Sequence, residues 1–327
     1  MSEHHVDVVR LGPVTKHENA DTLAVTMVHG GYPCIVRLGE YNEGDLAVYV
    51  PVDAVVPTES ERFAFLGAGH GRIRAKKLRG TFSMGLLVKP EPDMAEGDDV
   101  AERWGITKYE PPEIGGGSGG SFSSSRAASC PFSWPVYDLE GLRKYGRLLT
   151  PGEPVHVSEK IHGCNGRFVF KDGQLWVGSR NQAKTESESD LWWGIARAHD
   201  LAAKLPAFPD VVIYGEVFGQ VQDLKYGVEM GARFALFDAV DLRTMRWLDV
   251  EEIDALAAVL DIPRVPELFR GPWDPDRADE WAEGPSTLAG HVREGFVVRP
   301  LKHRADPRLG RVILKRHGQG YLLRKGG

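Results

Sequence analysis

Cysteine is scarce: three among 327 residues, Cys34, Cys130 and Cys164. They are odd in number and widely spaced, and support neither a disulfide framework nor a zinc site. A reducing, cytoplasmic setting is therefore expected. No apolar run reaches the roughly 18 residues of a membrane span, so no membrane partner is expected. Met1 to Asp7 carries neither the basic nor the apolar block of a secretory leader. Excess positive charge is also missing. Forty Lys and Arg face 46 Asp and Glu, for a net charge of −6, which at first argues against a polyanionic partner. No internal repeat is visible.

What is present reads as an ordinary globular chain, 42% hydrophobic and 26% charged, and long enough for two domains. Its cations are unevenly distributed. Arg72, Arg74, Lys76, Lys77 and Arg79 put five in eight residues, and Arg299 to Lys325 holds nine Lys or Arg against one acid, Asp306. Acid collects instead around Glu186–Asp190, Glu251–Glu252 and Asp274–Glu283. An acidic protein with such patches can still present a basic face to phosphates.

Residues 111–131 begin with Pro111-Pro112 and run into Gly- and Ser-rich sequence. They are expected to form a flexible linker, since nothing there buries a core. Residues 1–110 then read as all-β. Val6–Leu11, Leu23–Val28, Cys34–Leu38, Leu46–Val50 and Met84–Val88 are short β-rich segments separated by turn signals such as Gly30-Gly31 and Asn42–Asp45, the pattern of a small barrel of the oligonucleotide-binding (OB) kind. Residues 132–327 mix strands with helices expected at 138–145, 190–205 and 249–260, from apolar spacing and Asp at their starts. The fold class is α+β: antiparallel sheets enclosing a cleft, flanked by helices.

The chemistry gathers in that second part. Ser158-Glu159-Lys160-Ile161-His162-Gly163-Cys164-Asn165 sets one lysine between two apolar stretches, at a glycine turn. A lysine presented there can act as a nucleophile. An ordinary lysine titrates near about 10.4, so neighbouring cations (Lys315, Arg180, a divalent metal) are expected to push Lys160 down. Five further segments follow: Ser179-Arg180-Asn181, Val211 to Gly219 with Glu216, Phe234 to Asp238, Glu294 to Arg299, and Val312 to Lys315.

In that order these six segments resemble the covalent nucleotidyltransferases, specifically ATP-dependent RNA ligases. The resemblance covers roughly residues 132–327 and implies an ATP-grasp-like ligase domain. Gly44–Asp53 and Leu78–Leu86, with the loop His17–Leu23, resemble the N-terminal module of the Deinococcus-type RNA ligases, which implies an RNA-binding barrel. The family pattern makes Lys160 the residue that accepts AMP from ATP. Glu159 would face the adenine edge and Phe237 would stack on the base. Arg180 and Glu216 would hold the ribose hydroxyls. Glu294 would place a hydrated Mg2+ or Mn2+, directly or through water. Lys315 would neutralise phosphate charge. His162 and Asn165 would position metal, phosphate or the RNA end. Asp238 reads as structural. Two positions depart from the pattern: Cys164 replaces a small hydroxyl residue, and His317 stands where many RNA ligases carry a second lysine.

The implied reaction joins 3′-hydroxyl and 5′-phosphate ends of RNA or RNA/DNA duplexes. Nicks with RNA on the 3′-hydroxyl side are the implied substrate, and no protein partner is implied. A DNA ligase or capping guanylyltransferase shares the chemistry but usually carries its barrel after the last lysine, where only 12 residues follow here. A non-catalytic RNA-binding protein with a relic pocket is the other reading. Against it stand Lys160, Glu216, Glu294 and Lys315 together.

Overall fold

A computed structural model describes residues 5–109 and 125–324. They fall into two units, residues 5–109 with 321–324, and residues 125–320. The Gly- and Ser-rich part of the expected linker lies outside the described residues. The end of that expected linker, residues 125–131, belongs to the second unit. Ala128 N donates to Ala183 O and Thr185 N to Arg126 O, and Cys130 packs in a core. No described helix is long and apolar enough to cross a membrane, and none of the three cysteines is in a disulfide.

In the first unit the regular structure of residues 5–109 is strand, apart from one short turn of helix at Ala64–Leu66. Its strands are β1 (Asp7–Arg10), β2 (Thr15–Lys16), β3 (Leu23–Val28), β4 (Tyr32–Arg37), β5 (Leu46–Val50), β6 (Ala54–Val55), β7 (Lys76–Leu78), β8 (Thr81–Ser83), β9 (Leu86–Val88) and β10 (Thr107–Lys108). They pair as β1-β5-β9, β2-β3-β4, β6-β10 and β7-β8. Side chains alternate along a strand, so β1 and β5 feed two cores. Val8, Val48 and Val50 join Phe63 and Trp104, while Val9 and Tyr49 join Val28, Cys34 and Val36.

The second unit is built on two five-stranded sheets. The first has the order β11 (Glu140–Gly141), β20 (Leu314–His317), β19 (Gly295–Pro300), β12 (Pro154–Lys160), β18 (Glu267–Pro272). The second has the order β14 (Gln174–Gly178), β13 (Cys164–Lys171), β15 (Val211–Gly219), β16 (Ala232–Asp241), β17 (Arg246–Trp247). Among these strand pairs, only β11 and β20 run parallel. Between the sheets lies a core of Trp134, Tyr137, Tyr214, Val240, Trp247 and Ile313. Outside the second sheet, α2 (Leu191–Ala198), α3 (Leu201–Lys204) and α4 (Val250–Leu260) cover Phe168, Ile213 and Phe234. Outside the first, α1 (Leu142–Tyr145) and α5 (Ala278–Ala282) cover Val155, Val157 and Phe296. The chain crosses from one sheet to the other at residues 161–163, and this crossing positions the site.

Two expected helices differ from the sequence reading. The one at 138–145 shrinks to α1, because Asp138 is taken by Arg180 rather than capping a helix. The one at 190–205 starts as expected, with Asp190 accepting from Trp193 N, but breaks at Asp200, which is left-handed at φ 51°. Helix α4 matches its expectation, with Asp249 and Glu252 forming a reciprocal N-terminal cap.

Candidate active site

Strand β12 pairs with β19 so that Lys160 lies opposite Gly295, and β19 pairs with β20 so that Gly295 lies opposite His317. Two residues back along β12, Ser158, Val297 and Lys315 form the next row on the same face. Directly paired residues project to one face of a sheet, so Lys160, Lys315 and His317 share the face turned toward the second sheet. Two glycines make this spacing possible. A Cβ on Gly295, at φ 149°, would lie 2.0 Å from Arg316 O. A Cβ on Gly163 would lie 2.2 Å from Val217 O and 3.0 Å from Glu216 Cγ.

Glu294 stands immediately before β19 and is 4% exposed. Its Oε1 accepts from Lys160 Nζ at 2.7 Å and lies 3.4 Å from His317 Nε2. Its Oε2 lies 3.8 Å from His162 Nδ1 and is buried without a hydrogen-bond partner. Burial works against the charge on Glu294, but Lys160 and the two histidines outweigh it and hold the carboxyl at about 2. Burial pushes Glu216 the other way, up to about 8, despite the nearby Lys160 ammonium. The lysine itself departs from expectation. Burial lowers its pKa, yet Glu294 and Glu216 outweigh burial, and Lys160 titrates above its ordinary value. The groups nearest the ammonium are carboxylates, which favour its charged form.

The facing wall comes from β13, β15 and β16. Asn165 pairs with Glu216 on the cleft side. A bulge in β16 leaves Phe237 as the extra residue between the Tyr214–Asp238 and Gly215–Leu236 pairs, which turns Phe237 and Asp238 to one face. Phe237 is half-buried and leans on Tyr137, ring centroids 4.6 Å apart. Asp238, 0% exposed, joins the two sheets. It accepts hydrogen bonds from Arg311 Nη2 at 2.6 Å and Tyr137 Oη at 2.8 Å, and forms an ion pair with Arg299 Nη1 at 2.9 Å. Burial raises its pKa, but the two guanidiniums bring it to about 2.

Two expected nucleotide contacts have other partners. Glu159 alternates to the opposite face of β12 from Lys160. It is 1% exposed, and its Oε2 accepts from Thr287 N at 2.8 Å and Thr287 Oγ1 at 2.6 Å. These bonds tie Glu159 to the 283–294 segment through Oε2, while Oε1 is buried without a hydrogen-bond partner. Arg180 donates to Asp138, so part of its fork is occupied, and it is not among the groups acting on Lys160.

Sequence reasoning missed the segment that grips His162. Tyr226 Oη accepts from His162 N at 2.6 Å, and Asp223 Oδ1 lies 2.8 Å from His162 Nε2. Tyr226 is buried and left-handed at φ 52°, a conformation that bulky side chains rarely adopt. Nothing in its sequence neighbourhood marks it. The Asp238 partners Tyr137 and Arg311 were also missed, since neither lies in a motif.

Among the described residues, no group of three or more His, Cys, Asp or Glu is placed to hold a metal ion. The one buried, unsatisfied carboxylate oxygen on Glu294 fits a hydrated ion held by few protein atoms, rather than an all-protein cage.

The RNA ligase family profile matches residues 153–317, just over half of the chain, and an OB-fold domain profile matches residues 6–90. The whole chain is similar to solved structures of the Naegleria gruberi RNA ligase. A mutant of that ligase with AMP and Mn superposes with TM-score 0.86 at 25% identity, covering 98% of each chain. The same ligase with PPi gives TM-score 0.85 at 25% identity, again covering 98% of each. A mutant with ATP and Mn gives 0.86 at 24% identity, covering 97% of this chain and 98% of that one. No curated protein sequence matches. The α+β class, with an N-terminal OB fold and a C-terminal ligase domain, agrees with these likenesses.

Proposed function

We propose that this chain, which belongs to the RNA ligase family, is an ATP-dependent ligase that carries AMP on Lys160 and seals RNA 3′-hydroxyl to 5′-phosphate ends. The observation that carries the reading is one lysine held between two sheets, bonded to a buried carboxylate at 2.7 Å, with Lys315 on its face of the sheet. Structures of the similar Naegleria ligase with ATP, AMP and PPi support the choice of nucleotide.

At rest Lys160 is a charged ammonium paired with Glu294. To react it leaves that carboxylate, gives up a proton, and bonds to the α-phosphorus as pyrophosphate departs. Lys315, on the same face, stabilises charge building on the phosphate oxygens. Glu294 and its unsatisfied oxygen are suited to a hydrated Mg2+ or Mn2+. Such an ion, when bound, would neutralise phosphate charge and favour the free amine. His162 and Asn165 position the phosphates, Glu216 and Arg180 the ribose, and Phe237 the base. AMP then passes to the RNA 5′-phosphate, and the 3′-hydroxyl displaces it. Positioning and charge neutralisation supply most of the acceleration in such transfers.

The substrate we assign is a duplex nick with RNA on the 3′-hydroxyl side. A sealing assay on matched nicks tests it: the RNA-ended nick should close faster than its all-DNA counterpart, and equal rates would defeat the assignment.

A further inference from the structure

From Arg62 to Pro90 the chain carries seven Lys or Arg and no Asp or Glu, an unusual stretch in a protein of net charge −6. The structure divides these cations into two kinds. Arg62 pairs with Glu91, Arg72 pairs with Asp53 and covers the Tyr109 ring, and Lys89 lies over Tyr41. Arg74, Lys76, Lys77 and Arg79 are exposed, and their side chains have no hydrogen-bond or ion-pair partner among the described residues. Four unpartnered cations therefore stand within six residues.

They occupy a built element. Strands β7 and β8 pair as Lys76↔Ser83, Lys77↔Phe82 and Leu78↔Thr81. The two residues joining them, Arg79 and Gly80, both have positive φ, 48° and 92°. This tight turn favours Asn-Gly or Gly at both places, so an arginine at its first position is held under strain. The turn is braced from below by His17, 1% exposed. His17 Nδ1 accepts from Asn19 N at 3.0 Å, which leaves Nε2 to donate to Leu78 O at 3.2 Å. Asn19 Nδ2 donates to Arg79 O at 3.4 Å. At the root, Phe82 packs with Ala75 and Met84, and Ser83 Oγ accepts from Ile35 N at 3.0 Å. Buried groups thus hold a hairpin whose tip and free edge are cationic. Strain kept at an exposed position, where relief would be easy, marks a functional element.

We propose that this hairpin is the polynucleotide-backbone contact of the N-terminal unit, with Arg74, Lys76, Lys77 and Arg79 binding phosphodiester oxygens of the RNA. The inference rests on the ligase reading for its choice of polyanion. Cations on a rigid strand edge bind backbone and not sequence, and the one amide beside them, Asn19, already spends its Nδ2 on Arg79 O. An anionic lipid surface is the less suitable partner, because the hairpin offers it one apolar side chain, Leu78 at 39% exposure.

The test uses the full chain, a fluorescein-labelled nicked RNA duplex, and the variant Arg74→Ala/Lys76→Ala/Lys77→Ala. Arg79 is left in place to spare the turn. Binding is followed by anisotropy between about 50 and 200 mM salt, where the loss of affinity with salt should become about 20- to 40-fold smaller in the variant, as expected for three lost phosphate contacts. The charge-keeping variant Lys76→Arg/Lys77→Arg should bind as the parent does. AMP attachment, read by intact mass, should be unchanged in all three proteins. Parental affinity and salt slope in the alanine variant would overturn the inference. So would parental RNA binding accompanied by loss of binding to phosphatidylserine vesicles. If AMP attachment fails in the parent, the ligase reading falls, while the salt slope still reports on the hairpin separately.

Discussion

Lys160 sits paired with a buried carboxylate. It is held charged above all by the Glu294 carboxylate, the reverse of a nucleophile kept ready by neighbouring cations. Glu216 shows the effect most clearly. Burial raises its carboxyl from 4.5 to about 8, so the folded protein keeps a proton that the unfolded chain has already lost. The stability it contributes is complete below 4.5 and disappears as pH rises through about 8. Glu216→Gln should therefore flatten the dependence of melting temperature on pH across that window, and an unchanged slope would contradict the assignment. Tyr226 belongs to the same scale. Its hydroxyl holds the His162 backbone at 2.6 Å, and Tyr226→Phe removes only that hydrogen bond. Single-turnover AMP attachment should slow by roughly 5- to 10-fold, the worth of one such bond, with little change in melting temperature. Equal slowing and melting loss would mean the tyrosine acts on stability alone.

The elements bring the motif residues together by register. Lys160, Gly295 and His317 share one row, and Ser158, Val297 and Lys315 the next on the same face. Asp238 fastens the sheet carrying Lys160 to the sheet carrying Glu216 through Arg299 and Arg311. Asp238→Asn should cost about 3 kcal/mol or more, because two guanidiniums are left without their carboxylate. Urea unfolding would show this, and a loss under about 1 kcal/mol would leave the sheets joined by packing alone. Much of this was legible beforehand. The apolar runs around Lys160, Glu216 and Lys315 announced buried strands, and the periodicity of 249–260 announced α4. What stayed hidden depends on contacts distant in sequence. Asp138 reads as a helix cap until Arg180 arrives 42 residues later. The β7–β8 hairpin reads as a charge run, because Lys76-Lys77 conceals a strand. The hold of Thr287 on Glu159 was hidden by distance in sequence, since the two lie 128 residues apart.

At the scale of the molecule, each unit carries its own cores. Residues matched by the RNA ligase profile, 153–317, lie wholly within the second unit, and those matched by the OB-fold profile, 6–90, within the first. Chemistry at Lys160 should then be separable from capture of the polynucleotide. Protein lacking residues 1–110 should still take up AMP but join RNA ends poorly, as a gel assay of nick sealing would show. Full-rate joining would remove the barrel from substrate binding. The central claim is the covalent step itself, and intact mass spectrometry tests it most directly. After incubation with ATP and magnesium or manganese, the protein should gain the mass of one AMP, pyrophosphate should discharge it, and Lys160→Ala should gain nothing. A parent protein that shows no adduct, whether freshly purified, exposed to pyrophosphate or supplied with ATP, would contradict the account.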